Sequence, residues 1–211
     1  MSEKILPKRL RQNLAILSQI PTLKNFYLAG GTGCALGLEH RISVDLDFFS
    51  PERFNSQRLI ERLRQNGLFK LDQKKENTLV GMFNNTRVNF LGYKYPLLEK
   101  PHYILNIKVA GLSDIGCMKI DAIASRGRKR DFIDLYFICQ KYCPLEKLLR
   151  DFDRKYRGTG YNSGHILKSL AYFVDAEPDP MPKVLVKIRW HSIKNFFKEE
   201  TKRIVGAQLR R

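Results

Sequence analysis

The chain has 211 residues, with 38 Lys and Arg against 21 Asp and Glu, giving a formal charge of +17 at pH 7. Hydrophobic residues make up 43%, and 13 Phe, 9 Tyr and 1 Trp are spread from end to end; this excludes a disordered chain, which lacks the apolar groups that offset ordering entropy. No run approaches the roughly 18 apolar residues that would span a bilayer, and the start Met1-Ser2-Glu3-Lys4 has no apolar signal core, so a soluble cytoplasmic protein is expected.

Residues 7–19 read as a helix, because Leu10, Leu14 and Leu17 recur at helical intervals after Pro7. Phe26–Ala29 is a short apolar run that stops at Gly30-Gly31-Thr32-Gly33, and Cys34–Leu38 then suggests a compact helix. Val44–Phe49 predicts a strand with acids at alternate positions, and 55–65 a charged amphipathic helix. Two-residue alternation over Leu68–Leu71, Thr78–Phe83 and Arg87–Leu91 predicts successive antiparallel strands, with Glu76-Asn77 and Asn84-Asn85 at the corners. Tyr103–Val109 reads as one more short strand. Helix signals then dominate, over 113–125, 130–142, 144–155, 163–174 and 189–208, with a proline-rich connector at Asp175–Pro182. Strands first and helices later define an α+β class: a mixed or antiparallel sheet flanked by helices over residues 1–111, and a helical region over 112–211 packed on it. A doubly wound sheet would alternate strictly, and this pattern does not.

Cys34, Cys117, Cys139 and Cys143 are too sparse for a disulfide framework. His40, His102, His165 and His191 are scattered singly, so a four-ligand zinc site is not expected.

The strongest chemical signal is Gly30-Gly31-Thr32-Gly33 at a strand-to-helix junction, followed by Arg41-Ile42-Ser43-Val44-Asp45-Leu46-Asp47-Phe48-Phe49. Glycines there let the backbone approach an anion, the helix start offers N–H groups, and Thr32 adds a hydroxyl. Asp45 and Asp47 are two apart, so on a strand their carboxylates share a face. Adjacent like charges are resolved by a cation between them, and hard oxygen ligands favour Mg²⁺ or Mn²⁺. Either motif alone is commonly structural, a turn or a solvated strand face. Together they read as a nucleoside-triphosphate site.

A second cluster runs from Met118 to Tyr136. Lys119 and Arg126 are two helical turns apart and share a face, and Asp131 and Asp134 open the next helix. Lys119 has core-like neighbours, so its ammonium is expected to emerge from a packed helix, where it would neutralise phosphate charge. For Asp134, pairing with Arg130 is at least as good a reading as catalysis.

In order, these blocks resemble the AbiEii/AbiGii toxin family, within the DNA polymerase β-type nucleotidyltransferase superfamily. The matches are Gly30, Gly31, Thr32, Arg41, Ser43, Asp45, Asp47, Phe48 and Phe49, then Lys119, Arg126, Asp131, Asp134 and Leu135, with further likeness out to Phe197. The resemblance implies a nucleotidyltransferase-like fold and Mg²⁺ on Asp45 and Asp47. It places phosphate on Gly30, Gly31, Thr32, Ser43, Lys119 and Arg126, and adds Lys119 and Asp131 to the catalytic set. It further implies a toxin of a toxin–antitoxin or phage-resistance system, with a cognate antitoxin and, in some relatives, tRNA ends as acceptor. One departure stands out: a third carboxylate is common on a neighbouring strand in the superfamily, and Arg87–Leu91 offers Asn89, which is neither base nor charged ligand.

The charge exceeds what a triphosphate needs. Arg128, Lys129 and Arg130 form a basic stretch, and Lys183, Lys187, Arg189, Lys194, Lys198, Lys202, Arg203, Arg210 and Arg211 a basic tail. Such surfaces attract polyanions, and Tyr156, Tyr161 or Trp190 could stack on bases, although helical spacing favours core packing for Trp190, Phe196 and Phe197. The leading expectation is therefore Mg²⁺-dependent nucleotide transfer to RNA, with tRNA first. The alternatives are transfer to a small molecule or protein, and a binding module on a degenerate transferase scaffold.

Overall fold

The computed structural model describes residues 5–208. Met1–Lys4 and, at the other end, the basic residues Arg210 and Arg211 lie outside the described residues. The chain divides into two compact units between Gly111 and Leu112.

The N-terminal unit runs α1 (Lys8–Ser18), a 3₁₀ turn (Pro21–Asn25), β1 (Tyr27–Leu28), α2 (Gly30–Leu38), β2 (Leu46–Ser50), α3 (Ser56–Asn66), β3 (Phe69–Lys75), β4 (Thr78–Phe83), β5 (Thr86–Gly92), β6 (His102–Ile104) and β7 (Ile107–Val109). These seven strands form one mixed sheet in the order β3-β4-β5-β2-β1-β7-β6. β2 lies at its centre, parallel to β5 and antiparallel to β1, and β1 is parallel to β7.

Alternation on the central strands produces the core. Leu46 and Phe48 of β2, Val88 and Phe90 of β5, and Leu79 and Phe83 of β4 are all buried. The rings of Phe48 and Phe90 stack at 5.3 Å. Against this core α1 buries Leu10, Leu14 and Leu17, and α3 buries Leu59, Ile60 and Leu63. Asn55 caps α3 by accepting from the Arg58 amide at 3.0 Å. Buried Asn13 ties α1 to the β4–β5 corner, donating to the Phe83 carbonyl at 3.1 Å and to Thr86 Oγ1 at 2.7 Å. That corner is a tight turn with positive φ at Asn84 and Asn85 (45° and 61°), the twist-matched geometry that asparagine tolerates.

Four expectations change in this unit. β2 begins at Leu46, so Asp45 precedes it instead of lying within it. β3 continues beyond Leu71 to Lys75, although its outer residues are polar, because it is an edge strand paired on one side only. Tyr103–Val109 is a hairpin, β6 and β7, turned at Leu105-Asn106 with φ of 49° and 60°. The glycine stretch is itself helical: α2 starts at Gly30, and Ala29 is its N-cap residue.

The C-terminal unit holds α4 (Leu112–Arg126), α5 (Lys129–Lys141), α6 (Leu145–Lys155), α7 (Ser163–Leu170), a 3₁₀ turn at Val174–Ala176 and α8 (Trp190–Gln208). Phe132 anchors its core, with ring contacts to Phe173, Trp190 and Phe197. The helix expected over 163–174 ends at Leu170, and Phe173 turns back into that core. A fully buried pair, Lys155 Nζ to Asp114 Oδ1 at 2.7 Å, ties α6 to α4. Burial pushes the thiol pKa values of Cys117 and Cys139 well above the ordinary range. Among the described residues no helix is long and apolar enough to cross a membrane.

Candidate functional site

The sheet assembles the first site. Ala29 N–H donates to the Asp47 carbonyl at 3.0 Å, fixing the start of α2 against β2. Gly30 takes φ +60°, and a Cβ there would lie 2.4 Å from Asp47 Oδ2. Glycine is thus required twice, for the left-handed backbone and for the space the carboxylate fills. A Cβ on Gly31 would lie 2.4 Å from Arg41 Nη2 and 3.4 Å from Ser43 Oγ. Because α2 begins here, the amides of Gly30, Gly31 and Thr32 fall in its first turn, where N–H groups have no intrahelical acceptor.

Asp47 lies opposite Asn89 in the parallel β2–β5 register, and Asn89 Nδ2 donates to Asp47 Oδ1 at 2.6 Å. A charge-assisted bond of this length fixes the carboxylate rotamer. Asp45 and Asp47 are both half-buried, in the opposite phase from buried Leu46 and Phe48. The structure thus brings Gly30, Gly31, Arg41, Ser43 and Asp47 together, with Asp45 next to them in sequence.

Thr32 differs from expectation. Its side chain is fully buried, its hydroxyl donates to the Asp45 carbonyl, and Oγ1 is 2.8 Å from Ser43 Oγ in a second hydrogen bond. Instead of facing a phosphate, that hydroxyl joins α2 to the segment carrying the acids. Oxygen ligands on a fixed carboxylate beside an open helix start suit a hard divalent cation better than a soft one. Arg41 has no assigned role in the sequence reading, yet it sits at the site. It is buried, with Nη1 donating to the Ile42 carbonyl at 3.1 Å, and its signal is its fixed place in the Arg41-x-Ser43-x-Asp45-x-Asp47 spacing.

In the C-terminal unit Lys119, Arg126, Asp131 and Asp134 also meet. Lys119 Nζ is 2.7 Å from both Asp131 Oδ1 and Asp134 Oδ2, and Arg126 Nε is 3.0 Å from Asp131 Oδ2. Asp131 and Asp134 are fully buried and Lys119 is 5% exposed. The Lys119 ammonium therefore does not emerge from the helix surface; it is shared by two carboxylates. Burial alone would raise the Asp131 pKa, but Lys119 and Arg126 outweigh it and hold the carboxyl below its ordinary value.

The basic stretch is less available than its sequence suggests. Lys129 is buried, its ammonium donating to the Glu177 carbonyl at 3.1 Å and to the Asp179 carbonyl. Arg128 pairs with Asp179 at 2.9 Å. Asp179 is 50 residues downstream of Lys129, a contact that local charge counting does not reveal. Trp190 and Phe197 pack on Phe132, the core role that helical spacing favours for them.

The mixed sheet, with a glycine-started helix beside Asp47 on its central strand, has the nucleotidyltransferase-type fold. Two solved structures share it. MenT4, a nucleotidyltransferase toxin of Mycobacterium tuberculosis, superposes with a TM-score of 0.61 at 14% identity, over 92% of this chain and 82% of that one. An H. pylori protein solved by crystallography gives 0.55 at 18% identity, over 93% and 92%. An uncharacterized Aquifex aeolicus protein, aq_aa25, is 37% identical over 209 residues, covering 93% of this chain and 96% of its own. The family model described as nucleotidyl transferase AbiEii toxin, type IV TA system, matches residues 14–104 and 95–205. The chain belongs to the AbiEii nucleotidyltransferase toxin family.

Proposed function

We propose that this protein transfers a nucleotide from a nucleoside triphosphate to an RNA acceptor, with tRNA the first candidate, as the toxin of a toxin–antitoxin or phage-resistance pair. The observation that carries the reading is the Asp47 carboxylate, held against Gly30 by Asn89 at the start of α2. Asp45 and Asp47 would hold Mg²⁺ or Mn²⁺. Bound there, the cation would supply charge neutralisation for the triphosphate and the leaving pyrophosphate.

The chain's own groups do the rest. First-turn amides of α2 bind a phosphate, aided by the favourable end of the helix dipole. Gly30 and Gly31 keep that approach open. Thr32 and Ser43 hold the acid-bearing segment to α2, and Arg41 braces Gly31 from the side. Lys119, Arg126 and Asp131 enter this reading through the family pattern, and Arg128 and Arg130 through charge.

Asn89 favours a second reading, a binding module on a transferase scaffold, because it stands where a third carboxylate would prime the attacking hydroxyl. Labelled nucleoside triphosphates offered with Mg²⁺ and total tRNA to wild type and Asp47→Asn separate the two. Mg²⁺-dependent label on RNA, lost in a folded Asp47→Asn protein, is the expected result. RNA binding without label in either protein would move the assignment to the second reading.

A further inference from the structure

The C-terminal unit contains a groove of about 350 Å³, close to the lower end of ligand-pocket sizes, and only Arg126 among its lining residues enters the reading above. One wall is the end of α4, with Ser125 and Arg126, and the other is α7 and the residues after it. His165 and Lys168 stand at i and i+3 on α7, and Tyr172 follows two residues past its end. Ile166, Leu167 and Leu170 are the buried residues of that helix.

Four features separate this groove from a merely solvated helix face. Tyr172 lines it and is 49% exposed, so part of this aromatic side chain is open to a ligand. Arg126 reaches it as a fixed guanidinium, because Asp131 holds both its Nε and its Nη2. Lys168 lines it too, and makes no salt bridge to a carboxylate among the described residues. Gly127 takes φ +56°, and a Cβ there would lie 3.2 Å from the Asp175 Cβ, so glycine lets the chain turn past Asp175 at the groove rim.

Two strong cations, an exposed aromatic face and one carboxylate match the parts of a nucleotide: phosphate, base, and an amine or hydroxyl donor. We propose that this groove binds one nucleotide unit, its phosphate on Lys168 and Arg126, its base against Tyr172, and a base amine or ribose hydroxyl on Asp175. The unit comes either from a free nucleoside triphosphate or from a single-stranded RNA. The proposal takes its ligand class in part from the transferase reading, but it concerns binding and needs no transfer.

The test is equilibrium binding to the full chain of a short labelled single-stranded RNA and, separately, of each ribonucleoside triphosphate with Mg²⁺. Wild type is compared with Lys168→Glu, Tyr172→Ala and the charge-matched control Lys70→Glu on the edge strand β3, with folding checked by circular dichroism. Loss of one stacked base or one phosphate contact corresponds to about a tenfold or larger fall in affinity. Such a fall in both groove variants, but not in Lys70→Glu, is expected for one of the two ligands. If RNA loses affinity the groove belongs to the acceptor, and if a triphosphate does it belongs to the donor. Groove variants that bind both ligands as well as Lys70→Glu does would overturn the proposal. Absence of transfer in the wild type would leave this result unaffected and would count only against the transferase reading.

Discussion

Acids occur in pairs in both units, and their surroundings are opposite. Asp45 and Asp47 are half-buried beside open helix amides, and the Asp47 carboxylate accepts from a neutral amide, that of Asn89. Asp131 and Asp134 are fully buried on a shared ammonium, with a guanidinium closing the far side of Asp131. In the first arrangement Asp47 accepts from a neutral amide. In the second both carboxylates meet cations within the protein. Two motifs that look alike in one dimension therefore have different surroundings: a neutral amide on a neighbouring strand in one, and ion pairs that join α4 to α5 in the other.

The largest effect should come from breaking the closed pair. Lys119→Met removes the cation that both buried carboxylates share, and such a loss costs about 3–5 kcal/mol. Urea unfolding measures it. A loss below about 1 kcal/mol would show that the cluster is not a structural ion network. Acid should act on the same network with a definite sign. The folded Asp131 pKa lies below its ordinary value of 3.8. Its stabilisation is therefore fully present above that value and disappears as pH falls through the lower, folded pKa. Unfolding free energies measured from pH 6 downward should drop more steeply below about pH 4 in wild type than in Lys119→Met.

A smaller effect is expected at Asp47. Asn89→Asp replaces a donor to Asp47 with a third carboxylate, and losing a hydrogen bond to a charged group costs about 1.5–3 kcal/mol without divalent cation. Added Mg²⁺ or Mn²⁺ should recover part of that loss, and the thermal midpoint should rise more with metal in the variant than in wild type. Identical metal responses would show that position 89 does not face a cation site.

The backbone phase of Asp45 and Asp47 was more legible in the sequence than the buried ion pairs of Lys119. Alternation alone places Asp45 and Asp47 in one phase, because Leu46 and Phe48 must enter the core. Asn84-Asn85 announced its turn for the same kind of local reason. Other features depend on contacts no local pattern carries. Thr32 turns inward because α2 begins two residues earlier, at Gly30, which places its hydroxyl on the Asp45 carbonyl. Lys129 is withdrawn from the surface by Glu177 and Asp179. Asn13 finds its partners across the β4–β5 corner. The β6–β7 hairpin was hidden because Leu105 occupies a left-handed turn position that leucine rarely signals.

The central claim is that Asp45 and Asp47 together hold a divalent cation beside the start of α2. Crystals grown with Mn²⁺ and a non-hydrolysable nucleoside triphosphate test it through the anomalous signal of the metal. The account predicts a peak about 2–2.5 Å from a carboxylate oxygen of each residue, with triphosphate oxygens completing the shell. A triphosphate bound with manganese elsewhere, or a peak touching neither acid, would contradict it.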